Sequence, residues 1–398
     1  MTDSQQDISR RRVVAGLTML PLAAGLGSAA TARPSKPSPA TGLDQVARKQ
    51  GLRFGSAIAW GGEGSDTGSI GNPRYRAIVE RECGMIVSEN ELKWQTSRPA
   101  PDKFDFRAFD AIAGYARSKN LVLRGHTLLW HRPKWMPLWV NNYDYGTRPA
   151  TEAARLITNH IETVMRRYRG VISSYDVVNE LFDDQTGAFV DTSMSTAMGS
   201  HEAVVDLAFR TARQEMPGAE LVYNDYMSWE PGNAAHRAGV LRLLEGFRKR
   251  GVPCDALGIQ SHIEMKSIDR ATGLGPHDRK EWRAFLDAVV AMGYRLLITE
   301  LDVKDNGLPA DYAARDAGVA NYLRAYMEVM LDYPQLSDVL AWGMVDKFSW
   351  LQGFAPRADG LPQRCCPYGS DYQPHAMRDT LAKLFAEAAP RPTRAKPA

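Results

Sequence analysis

The sequence lacks an excess of charge of either sign. Its 49 lysine and arginine residues nearly balance 46 aspartate and glutamate residues, so the formal net charge is only +3 at pH 7. Binding to nucleic acid or to a membrane surface through charge requires clustered basic residues, and no such cluster follows the N-terminus. With 44% hydrophobic and 24% charged residues, the composition is typical of a globular enzyme and excludes a disordered or fibrous chain.

Cysteine is also scarce. The four cysteines, Cys83, Cys254, Cys365 and Cys366, match neither a zinc-binding spacing nor a disulfide framework. Cys83 and Cys254 lie in apolar contexts and are predicted to be small buried residues. An ordinary disulfide between the adjacent Cys365 and Cys366 would be strained, so the sequence leaves their state open.

Long hydrophobic runs are confined to the N-terminus. Three arginines at positions 10–12 precede an apolar run rich in Gly and Ala, which ends in Ala-Thr-Ala at positions 30–32. This pattern predicts a signal peptide over residues 1–32, of the twin-arginine type, with cleavage after Ala32. An uncleaved membrane anchor is the alternative, but Pro21 and the small residues argue against a spanning helix. We therefore expect a bacterial protein that is exported, periplasmic or secreted, without membrane contact after cleavage.

A single domain is predicted for the rest of the chain. Residues 33–42 form a linker rich in Pro and Ser, and residues 391–398 form a short tail. No shift in composition divides residues 43–390, which are expected to form one catalytic domain. We expect this domain to be a monomer.

Eight segments rich in strand-forming residues alternate with amphipathic segments. The predicted strands begin at Arg53, Met85, Leu121, Ser173, Glu220, Ala256, Arg295 and Val339. The segments between them carry apolar residues at three- and four-residue intervals, as in 109–116 and 156–165, and predict helices. Eight βα units predict an α/β fold, a (β/α)8 TIM barrel. An open doubly wound sheet is the alternative, but no Gly-rich phosphate loop follows the first strand.

Each predicted strand is apolar at first and becomes polar or aromatic at its end. The residues at these ends are Glu89, Asn90, His126, Asn179, Glu180, Asn224, Asp225, Tyr226, Gln260, His262, Glu300, Asp302 and Trp342. The carboxyl ends of the strands of a barrel share one face, where active sites lie. The pattern therefore predicts an active site built from these ends.

Two glutamates, Glu180 and Glu300, end the fourth and seventh predicted strands. Paired carboxyl groups suit hydrolysis of a glycosidic bond, because one protonates the leaving oxygen and the other attacks the sugar or activates water. Asn179 and Glu180 are adjacent and would point to opposite faces of an ideal strand. A twist or bulge must therefore bring both side chains into the cleft.

The neighbours of the two glutamates predict different protonation states. His262 is expected to hydrogen-bond Glu300, and Asp302 to hold the imidazole, so that Glu300 stays ionised. Glu180 is expected to lie near apolar groups such as Trp130, which raise the pKa of its carboxyl group.

Seven motifs occur in order at the predicted strand ends. They are "ENELKW" (89–94), "RGHTLLWH" (124–131), "DVVNE" (176–180), "NDY" (224–226), "GIQSH" (258–262), "TELDV" (299–303) and "WGMVDKFSW" (342–350). With these motifs the sequence resembles glycoside hydrolase family 10, the endo-β-1,4-xylanases, from about Leu43 to the final helix. The resemblance implies a retaining enzyme that cleaves internal β-1,4-xylosidic bonds of xylan or xylo-oligosaccharides, with no cofactor.

The resemblance also implies roles for individual residues. Glu180 would be the acid/base, Glu300 the nucleophile, and Asn179 would hold the 2-hydroxyl of the sugar in subsite −1. The residues implied to line subsites −2 and −1 are Glu89, Asn90, Lys93, His126 and Trp130. Those implied elsewhere are Gln260 and His262 beside the nucleophile, Tyr226 at subsite +1, and Trp342 and Trp350 as walls of the glycone pocket.

The chain departs from the family pattern at several positions. Pro133 stands where the family has Gln, so a polar contact is missing or is replaced by Arg132 or Lys134. Leu351 stands where Arg is common, and the insert 351–370 is expected to reshape the rim of the cleft. These departures leave open a family-10-like β-glycosidase acting on decorated or short xylo-oligosaccharides or on β-glucan. A barrel that binds glycan without cleaving it is a further alternative.

No metal site is predicted at the strand ends. His126 and His131 do not have the His-x-His spacing of metal-dependent barrel hydrolases. No set of carboxylate or cysteine partners accompanies them in the sequence.

Overall fold

Parallel strands wound into a closed barrel form the centre of the molecule. The protein is described by a computed structural model that covers residues 41–392. The predicted signal peptide, the linker up to residue 40 and residues 393–398 of the predicted tail lie outside the described residues. Nine strands occur in the described range: β1 Arg53–Ile58, β2 Met85–Ser88, β3 Val122–Trp130, β4 Ile172–Asn179, β5 Glu220–Asp225, β6 Ala256–Ile259, β7 His262–Glu264, β8 Arg295–Lys304 and β9 Leu336–Ala341.

The pairing of these strands closes the barrel. Strands β1 to β6 pair in order, β1 also pairs with β9, β9 with β8, and β8 with β6, always in parallel. The short β7 continues the path of β6 and pairs with the end of β8. The predicted (β/α)8 TIM barrel is therefore confirmed, and each predicted strand begins within three residues of an observed one.

Helices connect the strands on the outside of the barrel. In residues 41–392 they are α1 Leu43–Arg48, α2 Pro73–Glu82, α3 Trp94–Ser97, α4 Arg107–Ser118, α5 Leu138–Asn141, α6 Pro149–Arg167, α7 Ser193–Met198, α8 His201–Glu215, α9 Ala234–Arg250, α10 Arg279–Ala291, α11 Tyr312–Leu331, α12 Leu351–Phe354 and α13 Ala376–Glu387. Two short 3₁₀ helices cover Pro133–Trp135 and Asp346–Phe348.

The helix ends follow local sequence signals. The side chain of Asn72 accepts hydrogen bonds from the backbone N–H groups of Arg74 and Tyr75, and Pro73 occupies the first position of α2. At the other end of a helix, Gly251 terminates α9 with φ of 64°, a left-handed conformation that glycine adopts without strain. Glycine at a helix end is one of the sequence signals that separate helices from strands.

The largest apolar core lies between the barrel and its helices. Inside the barrel, Val222, Ala256 and Leu297 form a small separate apolar cluster. Alternation along β5 places Val222 on the same face as Asn224, so this cluster lies beneath the carboxyl ends of the strands. The barrel interior thus supports the polar strand ends from below.

The described cysteines are buried free thiols. Cys83 and Cys254 are buried, as predicted. Cys365 and Cys366 are also buried, and their Sγ atoms lie 3.7 Å apart. Among the helices of residues 41–392, none has the length and apolar character needed to cross a membrane.

Candidate active site

A cleft of about 1160 Å³ opens at the carboxyl ends of the strands. All the site residues predicted from the sequence line it except Asp302, which is buried behind it. The predicted residues that line the cleft are Glu89, Asn90, Lys93, His126, Trp130, Asn179, Glu180, Tyr226, Gln260, His262, Glu300, Trp342 and Trp350. The barrel therefore brings together side chains from all parts of the sequence.

Glu180 enters the cleft through a break in the backbone geometry of β4. The strand ends at Asn179, and Glu180 has φ of 55°, a left-handed conformation that is rare for residues other than glycine. Strained conformations of this kind concentrate at functional sites. Asn179 Nδ2 donates a hydrogen bond to Glu180 Oε1 at 3.1 Å, so both side chains face the same space. This is the irregularity that the adjacent pair required.

Amide groups surround the carboxyl group of Glu180. Gln260 Nε2 donates to Glu180 Oε1 at 2.9 Å. Burial raises the pKa of Glu180, and the negative charges of Asp225 and Glu300 act in the same direction, although the hydrogen bond from Gln260 opposes it. The direction agrees with the expectation that this carboxyl group retains its proton more readily than an exposed one. The expected role of Trp130 is wrong, because its indole N–H acts as a hydrogen-bond donor that lowers the pKa of Glu180 rather than as an apolar neighbour that raises it.

Glu300, on β8, is held as a carboxylate by two donors. Asn224 Nδ2 lies 2.8 Å from Oε1, and His262 Nε2 lies 3.2 Å from Oε2. Burial opposes ionisation, but the hydrogen bond from His262 and the charges of His126 and Lys93 outweigh it and hold the pKa of Glu300 below its usual value. The predicted contact between His262 and Glu300 is thus present.

Asp302 holds the side chain of His262, which contacts Glu300, and the side chain of Trp350. Its Oδ1 lies 2.9 Å from Nδ1 of His262, and its Oδ2 accepts a hydrogen bond from Trp350 Nε1 at 2.8 Å. Burial disfavours the charged imidazole, but Asp302 and Glu300 raise the pKa of His262 to about 9. At neutral pH the ring is therefore an imidazolium between two carboxylates.

Asn224 links Glu300 to Asn179, the neighbour of Glu180, although the sequence assigned it no individual role in the site. Its Nδ2 donates to Asn179 Oδ1 at 2.8 Å as well as to Glu300, and its Oδ1 accepts from Thr299 Oγ1 at 2.7 Å. The sequence placed Asn224 only among the polar strand ends. The signal that identifies it is the register between β4 and β5, which places Asn224 beside Asn179.

One part of the cleft contains a buried ammonium group. Lys93 Nζ donates to Asn90 Oδ1 at 3.0 Å and lies 4.5 Å from the ring centre of Trp130. Burial lowers the pKa of Lys93, against the opposing charges of Glu300 and Glu89. Burial also raises the pKa of Glu89 to about 7. Lys93 is thus not a solvated surface lysine.

His126 is oriented from beneath by a buried ion pair. Its Nδ1 lies 2.9 Å from Asp176 Oδ2, and Arg124 Nη2 lies 2.6 Å from Asp176 Oδ1. The edge of the imidazole meets the indole of Trp342, with ring centres 5.3 Å apart. Asp176 therefore positions His126, a role for which the strand pattern contained no signal.

The insert 351–370 contributes an aromatic side chain to the cleft. Leu351 stands where the family commonly has Arg, and it is buried against Cys365 and Cys366. It therefore offers the cleft no polar contact in place of that arginine. Phe354 is exposed, lines the cleft, and lies against Trp350 with ring centres 4.5 Å apart. The insert thus changes the rim of the cleft, as expected.

Arg132 and Lys134 are the two candidates for the polar contact that Pro133 cannot make. Arg132 Nη2 donates to Tyr226 Oη at 2.8 Å, and its Nε lies 3.7 Å from Glu180 Oε2. Lys134 Nζ instead lies 4.6 Å from the ring centre of Trp135. Arg132 is therefore directed at Glu180 and Tyr226 rather than at the glycone residues.

Two carboxyl groups with opposite pKa shifts now face one cleft. The pKa of Glu180 is raised above its usual value, and that of Glu300 is lowered below it. Such a pair can supply a proton to a leaving oxygen and a nucleophile or base to the adjacent carbon. The indoles and the cleft volume suit a sugar chain.

Known proteins share this architecture. The model of the family described as "Glycosyl hydrolase family 10" matches residues 42–384. The chain is 30% identical over 317 residues to Endo-1,4-beta-xylanase 1 of Gibberella zeae, a match that covers 79% of this chain and 84% of that protein. It is 28% identical over 286 residues to Endo-1,4-beta-xylanase B of Thermotoga neapolitana, covering 71% of this chain and 75% of that protein.

Solved structures agree with these relatives. Native xylanase 10B from Thermotoga maritima superposes with a TM-score of 0.74 and 26% identity, covering 87% of this chain and 99% of that chain. Xylanase 10B from Thermotoga petrophila, solved in complex with xylobiose, gives a TM-score of 0.75 and 25% identity, covering 87% and 98%. The family match extends from α1 into α13 and so includes every strand of the barrel.

Proposed function

The chain belongs to glycosyl hydrolase family 10, and from this premise we propose that it is a retaining endo-β-1,4-xylanase that hydrolyses internal bonds of xylan by double displacement. The observation that carries the proposal is the pair Glu180 and Glu300, whose surroundings shift their pKa values in opposite directions. The names of the relatives support the same substrate class.

In the first step the two glutamates act together. The carboxylate of Glu300 attacks the anomeric carbon, while Glu180 gives its proton to the glycosidic oxygen, which leaves with the aglycone. A covalent glycosyl ester with Glu300 forms. The imidazolium of His262 keeps Glu300 ionised before the attack, because its Nε2 lies 3.2 Å from the carboxylate.

In the second step water replaces the aglycone. Glu180, now a carboxylate, takes a proton from the water, whose oxygen attacks the anomeric carbon and displaces Glu300. The two inversions restore the β configuration. Asn179 contributes in both steps if its amide holds the 2-hydroxyl, a contact that strengthens in the oxocarbenium-like transition state.

The wall of the cleft supports a preference for xylose. Trp350 is anchored by Asp302, and Trp342 packs against His126, so both indoles have fixed positions. A fixed wall beside the C5 position excludes the hydroxymethyl group of glucose and admits xylose, which lacks it. On this assignment Trp342, Trp350 and Lys93 line the part of the cleft that holds the glycone.

A time course of products from linear xylan tests the proposal. We expect a ladder of xylo-oligosaccharides early in the reaction, which indicates internal cleavage, and no release from cellulose. Glu300→Ala is the matched inactive variant. Xylose alone from the chain end, or equal action on cellulose, would refute the assignment.

A second candidate is favoured by the insert. Phe354 adds an aromatic surface to the cleft that the family motifs do not contain, so the preferred substrate in this candidate is a decorated or short xylo-oligosaccharide or a β-glucan. Comparison of linear xylan, glucuronoxylan and cellulose separates the two candidates. A higher kcat/KM on the decorated polymer favours the second.

We also propose that the enzyme is exported as a monomer after cleavage following Ala32. The arginines at positions 10–12 and the small residues at 30–32 support this proposal. Mass spectrometry of the exported protein should give an N-terminus at Arg33, and replacing Arg10 and Arg11 by Lys should retain the protein in the cytoplasm. Sedimentation should give the mass of one chain.

A further inference from the structure

Arg132 lies between Glu180, the proposed acid/base, and Tyr226, which the family resemblance assigns to subsite +1. Its Nε is 3.7 Å from Glu180 Oε2, and its Nη2 donates to Tyr226 Oη at 2.8 Å. Among residues 41–392, Glu180 forms this ion pair and no other. One guanidinium therefore contacts two residues from different strand ends.

The guanidinium is fixed in place. Its Nη2 also donates to the backbone carbonyl of Phe182, and its central carbon lies 5.5 Å from the ring centre of Tyr226. The Arg132 side chain is only 16% exposed, and that of Glu180 is 15% exposed. Water screens such a pair less than a surface pair, so the charge of Arg132 acts on Glu180 more than it would at the surface. Arginine also stays protonated over the whole working pH range of an enzyme.

We propose that Arg132 is a positioning residue that couples the acid/base to the aglycone side of the cleft: its charge holds Glu180, and its hydrogen bond holds Tyr226. The proposal rests on the proposed function, because it assigns Glu180 the acid/base role. It adds a residue from the segment in which the chain departs from the family pattern at Pro133.

The charge of Arg132 balances groups that act on Glu180 in the opposite direction. Glu300 on β8 and Asp225 on β5 are anionic and favour the neutral form of Glu180. Lys93 is a second cation that interacts with Glu180, from the glycone side. Removal of Arg132 takes away one of the positive charges that oppose these two carboxylates, so Glu180 should lose its proton at a higher pH.

The hydrogen bond to Tyr226 has a separate effect. Tyr226 lines the cleft, and Arg132 fixes the direction of its hydroxyl group. If the phenol contacts the sugar in subsite +1, removal of this bond weakens aglycone binding without changing the charge beside Glu180. The two contacts of Arg132 can thus be separated by mutation.

The pH profile of kcat/KM on linear xylan tests the charge. We expect Arg132→Met to move the alkaline limb upward by about 0.5 to 1 pH unit, because the limb reports loss of the proton from Glu180. Arg132→Lys retains a cation and should restore most of the limb. Lys134→Met is the matched control: it removes a cation from the same segment, but one that contacts Trp135, and its limb should coincide with that of the wild type.

Tyr226→Phe tests the second contact. This variant keeps the charge of Arg132, so its alkaline limb should stay in place, while KM for xylo-oligosaccharides rises several-fold and KM for an aryl xylobioside changes less. If Arg132→Met fails to fold by circular dichroism, Arg132→Gln takes its place: it removes the charge but keeps an N–H donor, so its comparison with Tyr226→Phe separates charge from hydrogen bond.

Two failures can be distinguished. If the wild type shows no activity on any β-xylan, the proposed function is wrong. If the wild type is active and the limbs of Arg132→Met and Lys134→Met both coincide with its own, the proposed function stands and the role of Arg132 is refuted.

Discussion

At the scale of single residues, hydrogen-bond donors and nearby charges shift the pKa values of two glutamates in opposite directions. Glu180 receives neutral amide donors from Asn179 and Gln260. Glu300 receives one amide donor and the imidazolium of His262, whose positive charge stabilises a carboxylate more than an amide does. Burial acts on both groups, so the difference in pKa comes from the donors and from the neighbouring charges that act most on each group, which are anionic beside Glu180 and cationic beside Glu300.

The first prediction concerns the proposed acid. Glu180→Ala should lower kcat/KM on xylan by about 10²- to 10⁴-fold, because the leaving sugar needs a proton. The reduction should be much smaller on a dinitrophenyl xylobioside, whose leaving group departs without one. Rates on the two substrates check the prediction, and equal reductions on both would contradict it.

The second prediction concerns His262. Its pKa is raised to about 9 from an ordinary value of 6.5, so its charged form stabilises the fold fully below pH 6.5, and this stabilisation is lost as the pH rises through 9. The loss has an upper limit of about 3 kcal/mol. Urea unfolding of the wild type from pH 6 to 9.5 should show this decline.

His262→Asn supplies the control for that experiment. The variant cannot carry the charge, so its free energy of unfolding should vary less over the same pH range. A wild-type stability that stays level or rises between pH 6.5 and 9 relative to the variant would show that the imidazole is not held protonated.

At the scale of secondary-structure elements, the strand pattern was predictable and its irregularities were not. The strands follow from apolar segments that alternate with amphipathic ones. No local signal indicates that the sixth predicted strand divides into β6 and β7, with Ser261 at φ of 64° between them. This break depends on a distant partner, since Glu300 N donates to the carbonyl of Gln260.

The insert shows the same limit. Its position was evident from the sequence, but its conformation depends on contacts far along the chain. Asp305 accepts a hydrogen bond from Arg315 Nε at 2.6 Å, and its backbone N–H donates to Gln363 Oε1 at 3.0 Å. Such contacts hold the segment that carries Phe354 and could not be predicted from local sequence.

The third prediction concerns the element that carries Phe354. Because this side chain is 57% exposed, Phe354→Ala should change the free energy of unfolding by less than about 0.5 kcal/mol. We expect KM on glucuronoxylan to rise several-fold with kcat nearly unchanged, because a stacking surface is removed. Tyr312→Ala removes an exposed aromatic ring outside the cleft and is the control. Identical kinetics for the two variants would exclude a role for Phe354 in binding.

At the scale of the whole molecule, the ends of the barrel domain are joined by one buried carboxylate. Glu82 at the end of α2 accepts hydrogen bonds from Leu43 N at 2.9 Å and from Arg378 Nη2 at 3.1 Å. Tyr368 also donates to Glu82. Burial opposes ionisation, but the hydrogen bonds from Tyr368 and Arg81 hold the pKa of Glu82 below its usual value. The first and last helices of the domain are thus connected through Glu82.

The fourth prediction follows from this junction. Glu82→Ala should lower the free energy of unfolding by about 3 kcal/mol, because it leaves the buried Arg378 without its buried carboxylate partner and with only the exposed Asp379. Glu387→Ala is the control, since its pair with Lys383 is exposed and should contribute less than about 1 kcal/mol. Urea unfolding measures both, and equal effects would contradict the role of Glu82 as a junction.

The sequence was sufficient for the fold and for most of the cleft, but not for every partner. The two glutamates and the pair His262–Asp302 were predictable because motif residues end strands on one face of the barrel. Asn224 received no role of its own, because its contacts depend on the register of two strands. Arg132 was predictable only as one replacement for the contact missing at Pro133, because the direction of its side chain could not be inferred from the sequence. Arg132 lies between the motif "RGHTLLWH" (124–131) and Pro133, where the chain departs from the family pattern.

The stereochemistry of hydrolysis tests the central claim most directly. Proton NMR of xylohexaose during the first minutes of reaction measures which anomer of the new reducing end forms before mutarotation. Double displacement through Glu300, with Glu180 as acid and then base, predicts that the β-anomer forms first. Initial formation of the α-anomer would show a single inversion and would contradict the roles assigned to both glutamates.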